Sequence, residues 1–278
     1  MEIGKYNTLS VLKKTPSGLY LGDSNEEILL STRDVHGKID IGEQLTVFVY
    51  LNNENRLVAT TQKPFATVGE FAFLPVREIN EHGAFFHWGI DKDVFASYSE
   101  QLGELQRGTK YLVHIFIDER SGRIAATLKW RQFINDKPND LRNGDEVKLL
   151  IAQQTDAGYK AIINNQYEGL LYKNEIFQPL QPGDVKQGFI KQVRDDGKID
   201  LTLQQQGYAH IEDTKDILIQ FLVANKGILP LGDKSSPEEI YRQLKISKKA
   251  FKKTIGGLFK EKLINIGDYE IKLLSNEQ

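Results

Sequence analysis

The chain contains no cysteine. That removes disulfides and thiolate metal sites, and it fits a reducing, cytoplasmic setting. No apolar run approaches the ~18 residues a membrane helix needs, and the opening MEIGKYNTLSVL lacks the apolar centre of a leader peptide, so neither a membrane partner nor a cleaved signal is expected. An excess of positive charge is missing too. There are 36 Lys and Arg against 38 Asp and Glu, a net charge of −2, so no global field draws in a polyanion. The balance shifts locally: residues 211–278 hold 12 basic and 10 acidic residues, whereas residues 1–210 hold 24 and 28. The five histidines show no ligand spacing, and the acid pairs Asp195-Asp196 and Glu238-Glu239 fall in a turn and at a helix start. The glycines build no phosphate loop. Enzyme activity, a metal and a cofactor are therefore not expected.

What is present is a repeat. GEQLTVFVYLNNENRLVATT (42–61), GTKYLVHIFIDERSGRIAATLK (108–129) and GDVKQGFIKQVRDDGKIDLTLQ (183–204) share one pattern, spaced by about 65 to 75 residues. Each opens on Gly and a polar residue, runs through a β-rich strand, turns, and returns through a cation, an aliphatic residue and a Thr, which is the signature of a hairpin. In the middle copy Tyr111, Val113, Ile115 and Ile117 alternate and are expected to be buried, leaving Leu112, His114 and Phe116 on a half-polar face. The segments before each hairpin supply three further short strands, so the chain reads as mainly β, with three tandem five-stranded OB-type barrels. Their expected bounds are 1–63, 64–136 and 141–207, with a linker at 135–140 and a short helix at 98–105 in the second. A unit of that size buries only about 60% of its unfolded surface, so each barrel is expected to lean on its neighbours.

After Gly207 the period changes from two to about 3.6. A helix over 214–225 is expected to bury Ile217, Phe221 and Leu222. A second starts at Ser236-Pro237-Glu238-Glu239, with Ser as cap and acids at the positive end of the dipole. Ser247 caps a third over 248–263, and 264–274 reads as a closing hairpin. This order, over residues 211–278, is that of a winged helix.

On the third helix Phe251, Ile255, Leu258 and Phe259 form the expected buried stripe. Lys249, Lys253 and Lys260 lie opposite with Gly256, a pattern that suits a phosphate backbone and also an ordinary solvated face. With no Arg, Asn or Gln on that face, base-specific readout is not expected. In the barrels Phe85 and Phe86, and Tyr159, Tyr167 and Tyr172, offer rings on which bases stack. Phe85 and Phe86 cannot both face inward.

Gly83-Ala84-Phe85, Asp118 and Gly122-Arg123-Ile124-Ala125-Ala126-Thr127-Leu128-Lys129 resemble the S-one type of RNA-binding OB domain. Three such modules before a winged helix resemble the conserved virulence factor B family of bacterial RNA-binding regulators. The resemblance implies an RNA-binding face carried by Phe85, Asp118 and Arg123 in the second barrel. In the third it implies Lys160, Tyr172, Arg194 and Lys198 at the corresponding places, and that barrel is expected to make the main contact. The implied function is binding of single-stranded RNA with little sequence choice, affecting gene expression after transcription. A duplex DNA-binding regulator acting through the third helix, and a protein-interaction scaffold, are the alternatives.

Overall fold

The computed structural model describes residues 1–23, 25–173, 176, 179–203, 209–244 and 246–274. Gln204 and Gly207, at the expected end of the third barrel, lie outside the described residues. Two compact units are formed, Met1–Ile134 and Asn135–Gln278.

The first unit holds two closed barrels. One is built from β1 (Tyr6–Thr15), β2 (Gly18–Gly22), β3 (Glu27–Ser31), β4 (Gln44–Leu51) and β5 (Leu57–Thr60), in the order β1-β2-β3-β5-β4. The other comprises β6 (Phe71–Asn80), β7 (Gly83–Phe86), β8 (Val94–Ser97), β9 (Lys110–Ile117) and β10 (Ile124–Thr127), in the order β10-β8-β7-β6-β9. A third closed barrel in the second unit contains β11 (Glu146–Gln154), β12 (Gly158–Ile163), β13 (Tyr167–Tyr172), β14 (Val185–Val193) and β15 (Ile199–Thr202). Asn164 and Asn165 turn β12 into β13 with φ of 48° and 58°, a conformation Asn tolerates better than most residues.

One device recurs in all three. The first strand carries a register shift, between Val11 and Lys13, Val76 and Glu78, and Ile151 and Gln153. A bulge of this kind bends the strand and lets a short sheet close on itself. The second strand then opens on Gly18, Gly83 or Gly158, where an added Cβ would stand 2.0, 2.3 or 1.9 Å from a carbonyl oxygen of the third strand. Glycine is required there because the strands approach too closely for a side chain.

The two barrels of the first unit share a core. Phe48 of β4 is fully buried, yet it packs in the cluster of the second barrel, with its ring centroid 5.4 Å from Trp88 in an edge-on contact. Trp88 donates its indole N–H to the Ala66 carbonyl at 2.7 Å. Backbone bonds continue the seam, from Gly4 N–H to the Val49 carbonyl (2.7 Å) and from Val68 N–H to the Gly4 carbonyl (3.0 Å). The expected dependence of one small barrel on the next is thus met by a common apolar layer.

Several expectations for the hairpin at 108–129 are corrected. Ile117 is exposed, because the strand ends where the turn leaves the barrel. His114 is buried instead of half-exposed, since a 3-10 turn at Trp130–Phe133 folds over it. Its ring stacks on Phe133 at 3.9 Å and tilts against Phe71 at 4.6 Å. The short helix expected over 98–105 is only a 3-10 turn, Tyr98–Glu100. Burial lowers the His114 pKa to about 4, against the opposing pull of a hydrogen bond to the Gly69 backbone. The unfolded ring takes up a proton near 6.5, so the unfolded chain binds more protons between those values. Stability therefore falls as pH drops from about 6.5 towards 4. In urea titrations across that range, His114→Phe is expected to flatten the decline.

The second unit ends in α1 (Ala209–Ala224), β16 (Ile228–Leu229), α2 (Pro237–Leu244), α3 (Lys248–Lys260), β17 (Ile264–Ile266) and β18 (Ile271–Leu273), with sheet order β16-β18-β17. Both predicted caps form. Ser236 Oγ accepts from Glu239 N–H at 3.2 Å and Ser247 Oγ from Ala250 N–H at 3.1 Å. Among the described side chains of α1, Thr214, Leu218 and Leu222 are buried, Phe221 is half-buried and Ile217 is exposed. In α3 Phe251, Thr254, Ile255 and Leu258 are buried, while Phe259 is 53% exposed and leaves the expected stripe. This helix stops three residues early because Lys262 turns left-handed (φ 57°), with Leu263 N–H bonding back to the Leu258 carbonyl at 3.0 Å. A lysine in that role gives no glycine signal to read.

Candidate nucleic-acid interface

The recurring bulge and glycine place one side chain at the same point in each barrel. Tyr20 stands opposite Lys13, Phe85 opposite Glu78, and Lys160 opposite Gln153. Their surroundings differ. In the first barrel the Lys13 ammonium sits over the Tyr20 ring at 4.3 Å. In the third, Lys160 is held by Glu168 at 2.6 Å. In the second, Phe86 fills the core and Phe85 turns outward, as the alternation requires, to lie beside its cross-strand neighbour Phe95 with ring centroids 5.0 Å apart.

Phe85, Phe95 and Phe116 line an open groove of about 1180 Å³ on the second barrel. Asp118 and Arg123 reach it from the β9–β10 turn, a tight loop in which Asp118 N–H bonds the Arg123 carbonyl at 2.9 Å and Gly122 N–H bonds the Asp118 carbonyl at 2.8 Å. The Ser121 hydroxyl donates to the Asp118 carboxylate at 2.6 Å and holds its pKa below the usual range. Arg120, Lys129 and the half-buried Lys92 also line the groove, together with the carboxylates Asp91, Asp93 and Glu100. Among the described residues, Arg123 and Lys129 form no ion pair with a carboxylate. Rings beside cations are what a single strand needs, since bases stack on any π face and phosphates attract mobile charge. The sequence assigns no contact role to Phe95, Phe116, Arg120 or Lys129. Pairing Phe85 with Phe95 required knowing that β7 and β8 are neighbours.

The third barrel, expected to make the main contact, has its charges already matched. Besides Lys160 on Glu168, Arg194 and Lys198 both reach Asp196, at 3.1 and 3.0 Å, and the Tyr172 hydroxyl donates to Asp200 at 3.3 Å. Tyr159 is half-buried against the barrel core. Tyr167 is buried, its hydroxyl bonded to Asp140, so its ring offers no stacking face.

On α3 the side chains of Lys249, Lys253 and Lys260 are exposed. A Cβ built at Gly256 or Gly257 would meet nothing within 4 Å, so the helix backbone is open there. Two mid-helix glycines cost about 1 kcal/mol each relative to alanine.

Comparison with known proteins follows the same division. Residues 3–62 match the S1 domain model, and residues 216–273 match that of the CvfB-like winged helix domain. Conserved virulence factor B of Staphylococcus epidermidis is 26% identical over 264 residues, covering 92% of this chain and 89% of that protein. Over most of its length the chain is thus similar to conserved virulence factor B. The Bacillus subtilis protein called Uncharacterized protein YitL is also similar, at 26% identity over 270 residues, 94% of this chain and 90% of its own length. A crystal structure titled as a multidomain protein with nucleic acid binding domains, from Streptococcus pneumoniae, aligns over 98% of both chains at 21% identity and a TM-score of 0.42. The S1 domain and the CvfB-like winged helix domain support nucleic-acid binding. No helix among the described residues is long and apolar enough to cross a membrane.

Proposed function

We propose that the protein binds single-stranded RNA with little sequence choice and so acts on gene expression after transcription. The observation that carries this reading is the groove of the second barrel, where Phe85, Phe95 and Phe116 line one surface with Arg123 and Lys129, which form no ion pair among the described residues. Phe85, Asp118 and Arg123 form the primary contact. The third barrel contributes weaker contacts through Tyr159, Lys160, Tyr172, Arg194 and Lys198, whose cations must exchange carboxylate partners for phosphate. On α3, Lys249, Lys253 and Lys260 supply backbone contacts. Several weak sites on one chain raise the overall affinity through effective concentration.

The open backbone at Gly256 and Gly257 favours a second reading, in which α3 binds a DNA duplex. Mobility shifts with single-stranded RNA, single-stranded DNA and duplex DNA of matched length separate the two. The first reading expects the RNA strand to bind tightest, with log affinity falling linearly in log salt. Preference for the duplex, abolished by Lys249→Glu with Lys253→Glu while single-strand binding persists, would establish the second.

A further inference from the structure

The groove has a wall that the second barrel does not supply. Asn53, in the β4–β5 turn of the first barrel, lines it together with Phe85 and Arg123. That turn is built to hold its shape. The Asn52 carboxamide oxygen accepts from the N–H groups of Glu54 and Arg56, each at 2.9 Å, and Asn55 adopts a left-handed φ of 61°. It is also anchored from the far side. Lys92, in the loop between β7 and β8, donates to the carbonyls of Leu51 at 2.6 Å and Asn52 at 3.1 Å. Beside it Asp91 N–H donates to Gln62 at 2.8 Å, and Arg33 stands 3.7 Å from the Asp91 carboxylate. A lysine spending two donors on backbone carbonyls across a barrel junction is placed to fix one loop against the other.

We propose that the RNA site is shared by two barrels: the β4–β5 turn of the first forms a wall of the second barrel's groove, Asn53 faces the bound strand, and Lys92 is the positioning residue that holds the wall. This rests on the single-strand reading above. It gives the first barrel, whose own Tyr20 is covered by Lys13, a role at its neighbour's site.

The test uses the full chain and a labelled oligouridylate, titrated over a salt series. Asn53→Lys is expected to tighten binding and steepen the log–log salt slope by about 0.7, the value for one added phosphate contact on a single strand. Asn53→Glu is expected to weaken it. The same pair at Thr46, at the other end of β4 and about 17 Å away along the strand, leaves affinity within about twofold, beyond the reach of screened charge. Lys92→Met weakens binding without changing the slope, and amide exchange across residues 51–55 speeds up. If the Asn53 pair behaves like the Thr46 pair while Phe85→Ala still weakens binding, the shared wall is overturned and the groove stands. If Phe85→Ala has no effect, the groove reading falls and the wall with it. A slope lowered by about 0.7 in Lys92→Met would make Lys92 a phosphate contact and overturn its positioning role. The Asn53 pair sits on an exposed turn, so it decides the matter even where Lys92→Met fails to fold.

Discussion

Phe85→Ala is expected to lower affinity for single-stranded RNA about 5- to 150-fold, the factor that corresponds to ~1 to 3 kcal/mol for one base–ring stack. The ring can be removed without opening the core, because Phe86 is the inward member of the pair and Phe85 faces the groove. Unfolding curves of the variant should therefore overlay those of the parent while its binding isotherm moves. Phe95 touches Phe85, so the double substitution Phe85→Ala with Phe95→Ala costs less than the sum of the two. The loss is expected for every base composition, since all bases present a π face. A loss confined to one base would point to hydrogen-bonded readout instead.

The largest effect on stability belongs to the seam. Trp88→Ala is expected to cost about 3 to 5 kcal/mol, the usual range for emptying a large aromatic site. It removes a side chain only 2% exposed and leaves the Ala66 carbonyl without its 2.7 Å donor. Phe48→Ala, made in the first barrel, is expected to destabilise the second as well, because its ring packs in that barrel's cluster. Urea unfolding followed separately by a probe in each barrel reports this directly. The two traces shift together if the apolar layer is shared, and separately if it is not.

Much of the architecture was legible because hairpins announce themselves locally. The threefold Gly-strand-turn-strand pattern, the Asn164-Asn165 turn, and the caps Ser236 and Ser247 all depend on residues a few positions apart. What escaped reading depends on residues far apart. Alternation along β4 shows that Val47 and Val49 share a face and that Phe48 takes the other, but not that a second barrel covers Phe48. His114 was misplaced for the same reason, its cover being Phe133. Ile217 and Phe259 fail in the opposite sense, since each sits at the edge of an apolar stripe where one step of 100° decides between core and solvent. The groove was half visible: Phe85, Asp118 and Arg123 were recognisable, whereas Phe95 and Lys129 join them only through the β10-β8-β7 order. In the third barrel the cations were visible and their cancelling acids were not, because the Lys160–Glu168 pair depends on the register of β12 against β13.

The Phe48–Trp88 contact bears on how such chains change over evolutionary time. Beads on a string can be duplicated, deleted or shuffled singly, but here a break in the gene between the first two beads would turn two large rings out into water. Those two are therefore expected to be inherited as a pair, and an insertion at their junction to be selected against even where it spared every residue that lines the groove.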